Sequence, residues 1–178
     1  MLNDVKEVLV SEENLEKKVI ELADKITKDF AGKNLVVIGV LKGANVFVAD
    51  LIRKINIPIA LDFMAISSYG SSTESSGVVK ILKDLDEDIE GRHVLVVEDI
   101  IDTGLTLSYL TENLKSRGAK SIDICTLLDK PDRRKAHIDV KYKGFDIPDE
   151  FVVGYGIDFN EKYRNLPFVG ILKREAYE

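Results

Sequence analysis

Glu98, Asp99 and Asp102 fall within one five-residue window, directly after the apolar run Val94–Val97 and directly before Thr103, Gly104 and Thr106. A buried strand that ends on adjacent carboxylates carries a desolvation penalty unless a partner relieves it. Side chains alternate along a strand, so Glu98 and Asp99 point to opposite faces unless a bulge re-aims one. Asp102–Thr106 then reads as a tight loop at a helix N-terminus, where unpartnered backbone N–H groups favour an anion. The two threonine hydroxyls add donors, and Gly104 lets the backbone approach a ligand closely. A phosphate monoester suits such a loop. Three acids beside it would repel that phosphate unless they face a cation or a sugar. The combination points to a phosphorylated sugar with a divalent cation, and hard carboxylate oxygens favour Mg2+. A blander reading has Asp102 and Thr103 merely capping a helix, which leaves Glu98 and Asp99 unexplained.

Such a loop needs a rigid frame, and the chain alternates in the way that supplies one. Residues 11–30 predict an amphipathic helix: Leu15, Val19, Leu22, Ala23, Ile26 and Phe30 share a face, Ser11 suits the N-cap, and Gly32 stops it. Leu35–Val40 is a continuous apolar run, expected of a strand covered on both faces. Leu41–Ala44 follows, then a helix carrying Phe47 and Leu51, then a strand over Ile57–Ile66. A serine-rich stretch, 67–77, precedes strand character at Val78–Leu82. Long structureless loops in compact domains are usually functional or disordered, and a lid over the site suits this one. After Val94–Val97 and the acidic loop comes a helix with Leu107, Leu110 and Leu114 on one face, ended by Gly118. Further strands are expected at Ser121–Leu128, Ile138–Tyr142, Phe151–Gly154 and Phe168–Leu172, the last closing the sheet. This is the α/β pattern: a mostly parallel sheet with helices on both faces. The first strand is expected only after about 34 residues, which are mostly one acidic amphipathic helix. One domain is expected over 1–178, with a core at about 11–128 and a small hood from about 129–178 plus the N-terminal residues.

Composition narrows the function. Of 178 residues, 45% are hydrophobic and 31% charged, which excludes a disordered chain. A net charge of −6 argues against broad nucleic-acid binding, which wants a basic footprint. One cysteine and two histidines make a disulfide framework or a zinc site a poor expectation. Cys125 sits in an apolar run and reads as a buried, inert thiol. No apolar stretch approaches the roughly 18 residues of a membrane span, and the N-terminus lacks a signal core. A cytoplasmic protein with no membrane partner is expected.

The stretch Val97–Thr106, reading Val-Glu-Asp-Ile-Ile-Asp-Thr-Gly-Leu-Thr, resembles the phosphoribosyl-diphosphate (PRPP) motif of type I phosphoribosyltransferases, in the form of their hypoxanthine–guanine branch. Four further segments are similar to that family, so the resemblance spans nearly the whole chain. Leu41, Lys42 and Gly43 match its pyrophosphate loop, and Ser68 and Tyr69 its mobile lid. Lys130, in Asp129–Pro131, matches its purine-contacting lysine, and Phe151–Asp158 with Arg164 its base pocket and pyrophosphate arginine. The resemblance implies that Glu98 and Asp99 hold the ribose hydroxyls directly or through Mg2+. Asp102 would be the catalytic acceptor at the purine N7. Ile101, Asp102, Thr103, Gly104, Leu105 and Thr106 would form the 5′-phosphate loop. Leu105 stands where relatives often have lysine, so backbone amides must carry more of the anion. Lys130 would donate to the purine 6-oxo group, Phe151 would stack on the base, and the Val152 carbonyl would accept from a 2-amino group. Asp158, beside the base, would bind a second Mg2+, and Arg164 would grip the pyrophosphate. Bland readings stand beside these: a solvated turn lysine, a core phenylalanine and a surface salt bridge. The peptide before Lys42 is expected to be cis, as in relatives.

The activity so implied is transfer of a phosphoribosyl group from PRPP to hypoxanthine or guanine, giving IMP or GMP and pyrophosphate, with Mg2+ as cofactor. A homodimer or homotetramer is implied, and no nucleic-acid partner. Xanthine- or adenine-specific transferases share the sugar-phosphate loop and remain rivals. So does an RNA-binding regulator that uses PRPP as an effector, though −6 is the wrong charge for it.

Overall fold

The computed structural model describes residues 1–68 and 79–178. Tyr69 and most of the serine-rich stretch read as a lid lie outside the described residues. The first helix, α1, runs Glu12–Asp29, and Ser11 Oγ accepts from the Asn14 amide at 3.2 Å, as the capping expectation requires. Six strands form the main sheet: β2 Leu35–Leu41, β3 Ile59–Ser68, β4 Val79–Lys83, β5 His93–Ile101, β6 Ser121–Asp129 and β7 Tyr142–Asp146. Their order is β4-β3-β2-β5-β6-β7, parallel throughout except for β4, which runs antiparallel to β3. Helix α2, Asn45–Ile52, links β2 to β3, and α3, Leu105–Ser116, links β5 to β6.

The continuous apolar runs are explained by cover on both faces. Leu35, Val37, Leu95 and Val97 pack into one cluster with Leu22 and Ile26 of α1 and Phe47 and Leu51 of α2. The alternate residues Val36, Ile38, Val94 and Val96 join Leu107, Leu110 and Leu114 of α3 in the other. Each such side chain, fully buried, contributes about 1.5–3 kcal/mol relative to exposure. The two central strands are therefore the most firmly held elements, and they deliver the site residues at their ends.

A separate antiparallel sheet has the order β1-β9-β8, with β1 at Val5–Val10, β8 at Val152–Val153 and β9 at Val169–Leu172. Three strand expectations are corrected by this. The segment ahead of α1 contains β1, which its mostly exposed residues did not announce. The last strand does not close the main sheet; it pairs with β1 and β8. Residues 138–141 are not strand, and the edge is β7, one turn later. Gly144 makes that edge possible, since a Cβ there would lie 2.2 Å from the Leu127 carbonyl oxygen. Tyr163 Oη donates to Asp4 Oδ2 at 3.0 Å and ties the N-terminus to the C-terminal segment.

Candidate active site

The chain builds outward from β2 in one direction to β3, then returns to lay β5 on its other side. At such a switch point the carboxyl ends of the two neighbouring strands open a crevice for ligands. Here those ends are Leu41–Gly43 and Glu98–Asp102. They line a cleft of about 320 Å³ together with Thr103, Gly104, Thr106, Asp158 and Arg164. Residues more than a hundred positions apart are thus brought to one place by strand order.

The Leu41–Lys42 peptide is cis, as expected. A Cβ on Gly43 would fall 1.8 Å from Asp99 Oδ2, so the backbone after β2 approaches this carboxylate as only glycine allows. Gly156 is packed as closely, its would-be Cβ 2.3 Å from the Gly43 carbonyl oxygen. Gly104, at φ +81°, turns the chain into α3 in the left-handed region.

Glu98 and Asp99 are partly buried at the end of β5. Burial, and then the charge of Asp99, push Glu98 well above the ordinary carboxylate range, and burial also raises Asp99. Neither makes an ion pair among the described residues. A cation between them would relieve the cost of holding both acids charged. Mg2+ is usually held by one or two carboxylates with water and substrate oxygens completing its shell, so the pair fits that ion. The described residues hold no ready-made cluster of three or more potential metal ligands. Asp158 is engaged otherwise: its Oδ2 accepts from the Glu161 amide at 2.8 Å, and its Oδ1 lies 3.0 Å from Arg164 Nη2.

The basic residues of the cleft are also engaged. Lys42 Nζ meets Glu161 Oε2 at 3.0 Å, and Arg164 donates to the Gly156 carbonyl at 2.8 Å and to Glu161 Oε1 at 3.3 Å. Sequence reasoning missed Glu161, a charged loop residue with no local signal, although it bridges both cations. Leu105, the first residue of α3, does not line the cleft. Ser68 ends β3, and Tyr69 falls outside the described residues.

Three residues assigned to the purine lie beside this cleft and not in its wall. Lys130 is buried at 8% exposure, which removes the reading of a solvated turn lysine. It follows Asp129, itself buried and bonded to Arg134. Phe151 is 39% exposed, so it is not a core phenylalanine. One face of its ring stacks on Tyr177 at 4.8 Å and 22°, and the Phe159 ring lies perpendicular to it at 5.3 Å. Val152 is buried in β8 beside it. Tyr177 and Phe159 complete an aromatic wall that no periodicity in the sequence signalled. Arg133 was missed as well; its Nε donates to Asp102 Oδ1 at 2.6 Å.

An open, mostly parallel sheet with a helix start, two acids that form no ion pair among the described residues, and two basic side chains at its switch point suits a phosphorylated sugar. The family model for the phosphoribosyl transferase domain matches residues 7–160. The chain belongs to that family, with the fold of type I phosphoribosyltransferases, and is a glycosyltransferase. It is 56% identical over 178 residues to the hypoxanthine-guanine phosphoribosyltransferase of Bacillus subtilis, covering all of this chain and 99% of that one. It is 54% identical to the bifunctional protein TilS/HprT of Listeria monocytogenes, covering 99% of this chain and 27% of that longer protein. A crystal structure of hypoxanthine phosphoribosyltransferase from Staphylococcus aureus superposes with a TM-score of 0.98 at 54% identity, covering 100% of this chain and 97% of that one.

Proposed function

We propose that this chain transfers the 5-phosphoribosyl group of PRPP to a 6-oxopurine, hypoxanthine or guanine, releasing pyrophosphate and forming IMP or GMP. The purine ring nitrogen N9 forms the new bond to the anomeric carbon as the bond from that carbon to the diphosphate oxygen breaks. The diphosphate leaves with the electron pair, and the proton of the imidazole ring passes from N7 to Asp102. Thr103, Gly104 and Thr106 hold the 5′-phosphate at the start of α3, through hydroxyls and backbone amides. Lys42 and Arg164 grip the diphosphate, the arginine through its two-pronged guanidinium. Lys130, a donor only, selects a 6-oxo over a 6-amino group. Phe151, 39% exposed, stacks on the base. Glu98 and Asp99 would hold the ribose and Mg2+, and Asp158 would reach a second ion on giving up its bond to Arg164. When bound, Mg2+ offsets the charge of the leaving diphosphate. Much of the rate then comes from positioning and fixed electrostatics.

What supports this is one coincidence: the acidic strand end, the helix start and both diphosphate cations line a single cleft, from segments as distant as 41–43 and 164. The same reading makes the chain a cytoplasmic purine-salvage enzyme, working as a dimer or tetramer. Its test is a pyrophosphate-release assay with hypoxanthine, guanine, xanthine and adenine, each with and without Mg2+. Release is expected with the first two and Mg2+. Release with adenine alone, or with no purine, overturns the proposal. Asp102→Asn is expected to lower kcat by roughly 10²-fold or more while the protein stays folded, the usual scale for losing a positioned base.

A further inference from the structure

Arg133 and Asp149 play no part in the assignments above, yet they join the two side chains that would read the purine. Arg133 ends the short 3-10 turn Pro131–Arg133 that directly follows Lys130. Its Nε donates to Asp102 Oδ1 at 2.6 Å, and its Nη1 lies 3.5 Å from Asp149 Oδ2. The other Asp149 oxygen lies 3.7 Å from Lys130 Nζ. Four side chains of alternating charge therefore run Asp102–Arg133–Asp149–Lys130. The backbone fixes the same geometry. The Lys130 amide donates to the Ile101 carbonyl at 2.9 Å, and the Lys135 and Ala136 amides to the Thr103 carbonyl at 2.8 and 3.2 Å. Those bonds clamp the whole segment after Lys130 onto the loop that carries Asp102.

As a stabilising pair, Asp102 and Arg133 have little to offer. Their side chains are 45% and 44% exposed, and such pairs contribute about 0–1 kcal/mol. Their geometry is more informative. Arg133 takes one carboxylate oxygen of Asp102 and leaves Oδ2 for another donor. We propose that Arg133 is a positioning residue for the transfer: it pins Oδ1 of Asp102 so that Oδ2 faces the purine N7, while Asp149, held by the same guanidinium, aims Lys130 at the 6-oxo group. This rests on the purine-transfer function proposed above. As the base covers the site and excludes water, the guanidinium also offsets the desolvation of the Asp102 carboxylate, which a neutral side chain could not do.

The test is a double-mutant cycle with wild type, Arg133→Ala, Asp102→Asn and the double variant. It is read by kcat and KM for hypoxanthine and PRPP, and by calorimetric affinity for hypoxanthine, whose N7–H can donate to Asp102, measured with pyrophosphate and Mg2+ so that no turnover occurs. Arg133→Ala is expected to weaken hypoxanthine binding about tenfold in the wild-type background and to have almost no effect in the Asp102→Asn background, the signature of two groups acting as a unit. KM for PRPP should stay within about twofold, because no sugar or phosphate group is assigned to this arginine, and such non-contacting sites behave independently. Arg133→Lys should recover part of the loss. Equal losses in both backgrounds, or none in either, overturn the proposal. Asp149→Asn supplies a second arm should Arg133→Ala fold poorly: it should reduce discrimination of hypoxanthine against adenine, and unchanged discrimination counts against the Lys130 half. A wild-type protein that transfers to no purine would instead remove the underlying function, so the two failures are distinguishable.

Discussion

Gly43 decides how near the backbone leaving β2 can come to Asp99. The would-be Cβ at 1.8 Å from Asp99 Oδ2 meets a side chain that is itself partly buried, so the carboxylate has to move. Overpacking of this kind costs about 1–3 kcal/mol where the surroundings cannot yield. Gly43→Ala is therefore expected to lower kcat/KM for PRPP by at least about tenfold, the equivalent of roughly 1.4 kcal/mol. The melting temperature should fall by about 2–12 °C, at roughly 2–4 °C per kcal/mol in a chain of this length. Activity at the wild-type level would mean that the Asp99 position is not used. Single residues also mark the boundary of what could be read in advance. Glu98, Asp99 and Asp102 were legible because adjacent acids at the end of an apolar strand conflict with burial. Arg133, Asp149 and Glu161 were not, since a charged residue in a polar turn looks the same in sequence whether it faces water or a distant carboxylate.

At the scale of elements, local pattern carried as far as local forces do. The α1 cap and stripe, and the continuous runs of β2 and β5, follow from side-chain periodicity and two-sided cover. Strand β1 does not: its burial is slight, and its pairing partner, β9, lies more than 150 residues along the chain. The return strand β4 is held in a similarly non-local way. Asp62, buried in β3, accepts from the Phe63 amide at 2.7 Å and the Asp86 amide at 2.8 Å, with Lys83 Nζ at 3.5 Å. Burial alone would raise this carboxyl, but the backbone hydrogen bonds from Asp86 and Phe63, aided by Lys83, hold it below its ordinary value. A depressed carboxyl stabilises the fold above its unfolded pKa of about 3.9 and loses that contribution as pH falls through the folded value. Asp62→Ala leaves those amides unpartnered. It should destabilise by about 1–3 kcal/mol at pH 7. The deficit should shrink as pH drops below about 4, where the unfolded chain's carboxyl takes up its proton before the folded one does. Thermal melts at pH 7, 5 and 3 check this, and a deficit independent of pH would show that the charge of Asp62 is not what holds β4.

Across the whole molecule, the charge balance sets a problem for its own substrate. The chain carries −6, and PRPP is itself a polyanion. Lys42 and Arg164 are the basic side chains lining the cleft, and both are already bonded to acids: Lys42 to Glu161, and Arg164 to Glu161 and Asp158. The Lys42 bond is also what holds the Glu161 carboxyl below its ordinary range. An incoming diphosphate must displace these acids or arrive with a cation of its own, and Mg2+ supplies the second route beside Glu98 and Asp99. Calorimetry of PRPP binding in excess EDTA should therefore show affinity at least about tenfold weaker than in millimolar Mg2+, a loss of roughly 1.4 kcal/mol. Glu161→Gln removes one competing charge from both cations, so it should recover part of the affinity in EDTA and change it less when Mg2+ is present. Equal affinity with and without Mg2+ would show that the strand-end acids do not hold a cation for the donor. A Glu161→Gln variant no better than wild type in EDTA would show that Lys42 and Arg164 are not occupied in solution as they are in the structure.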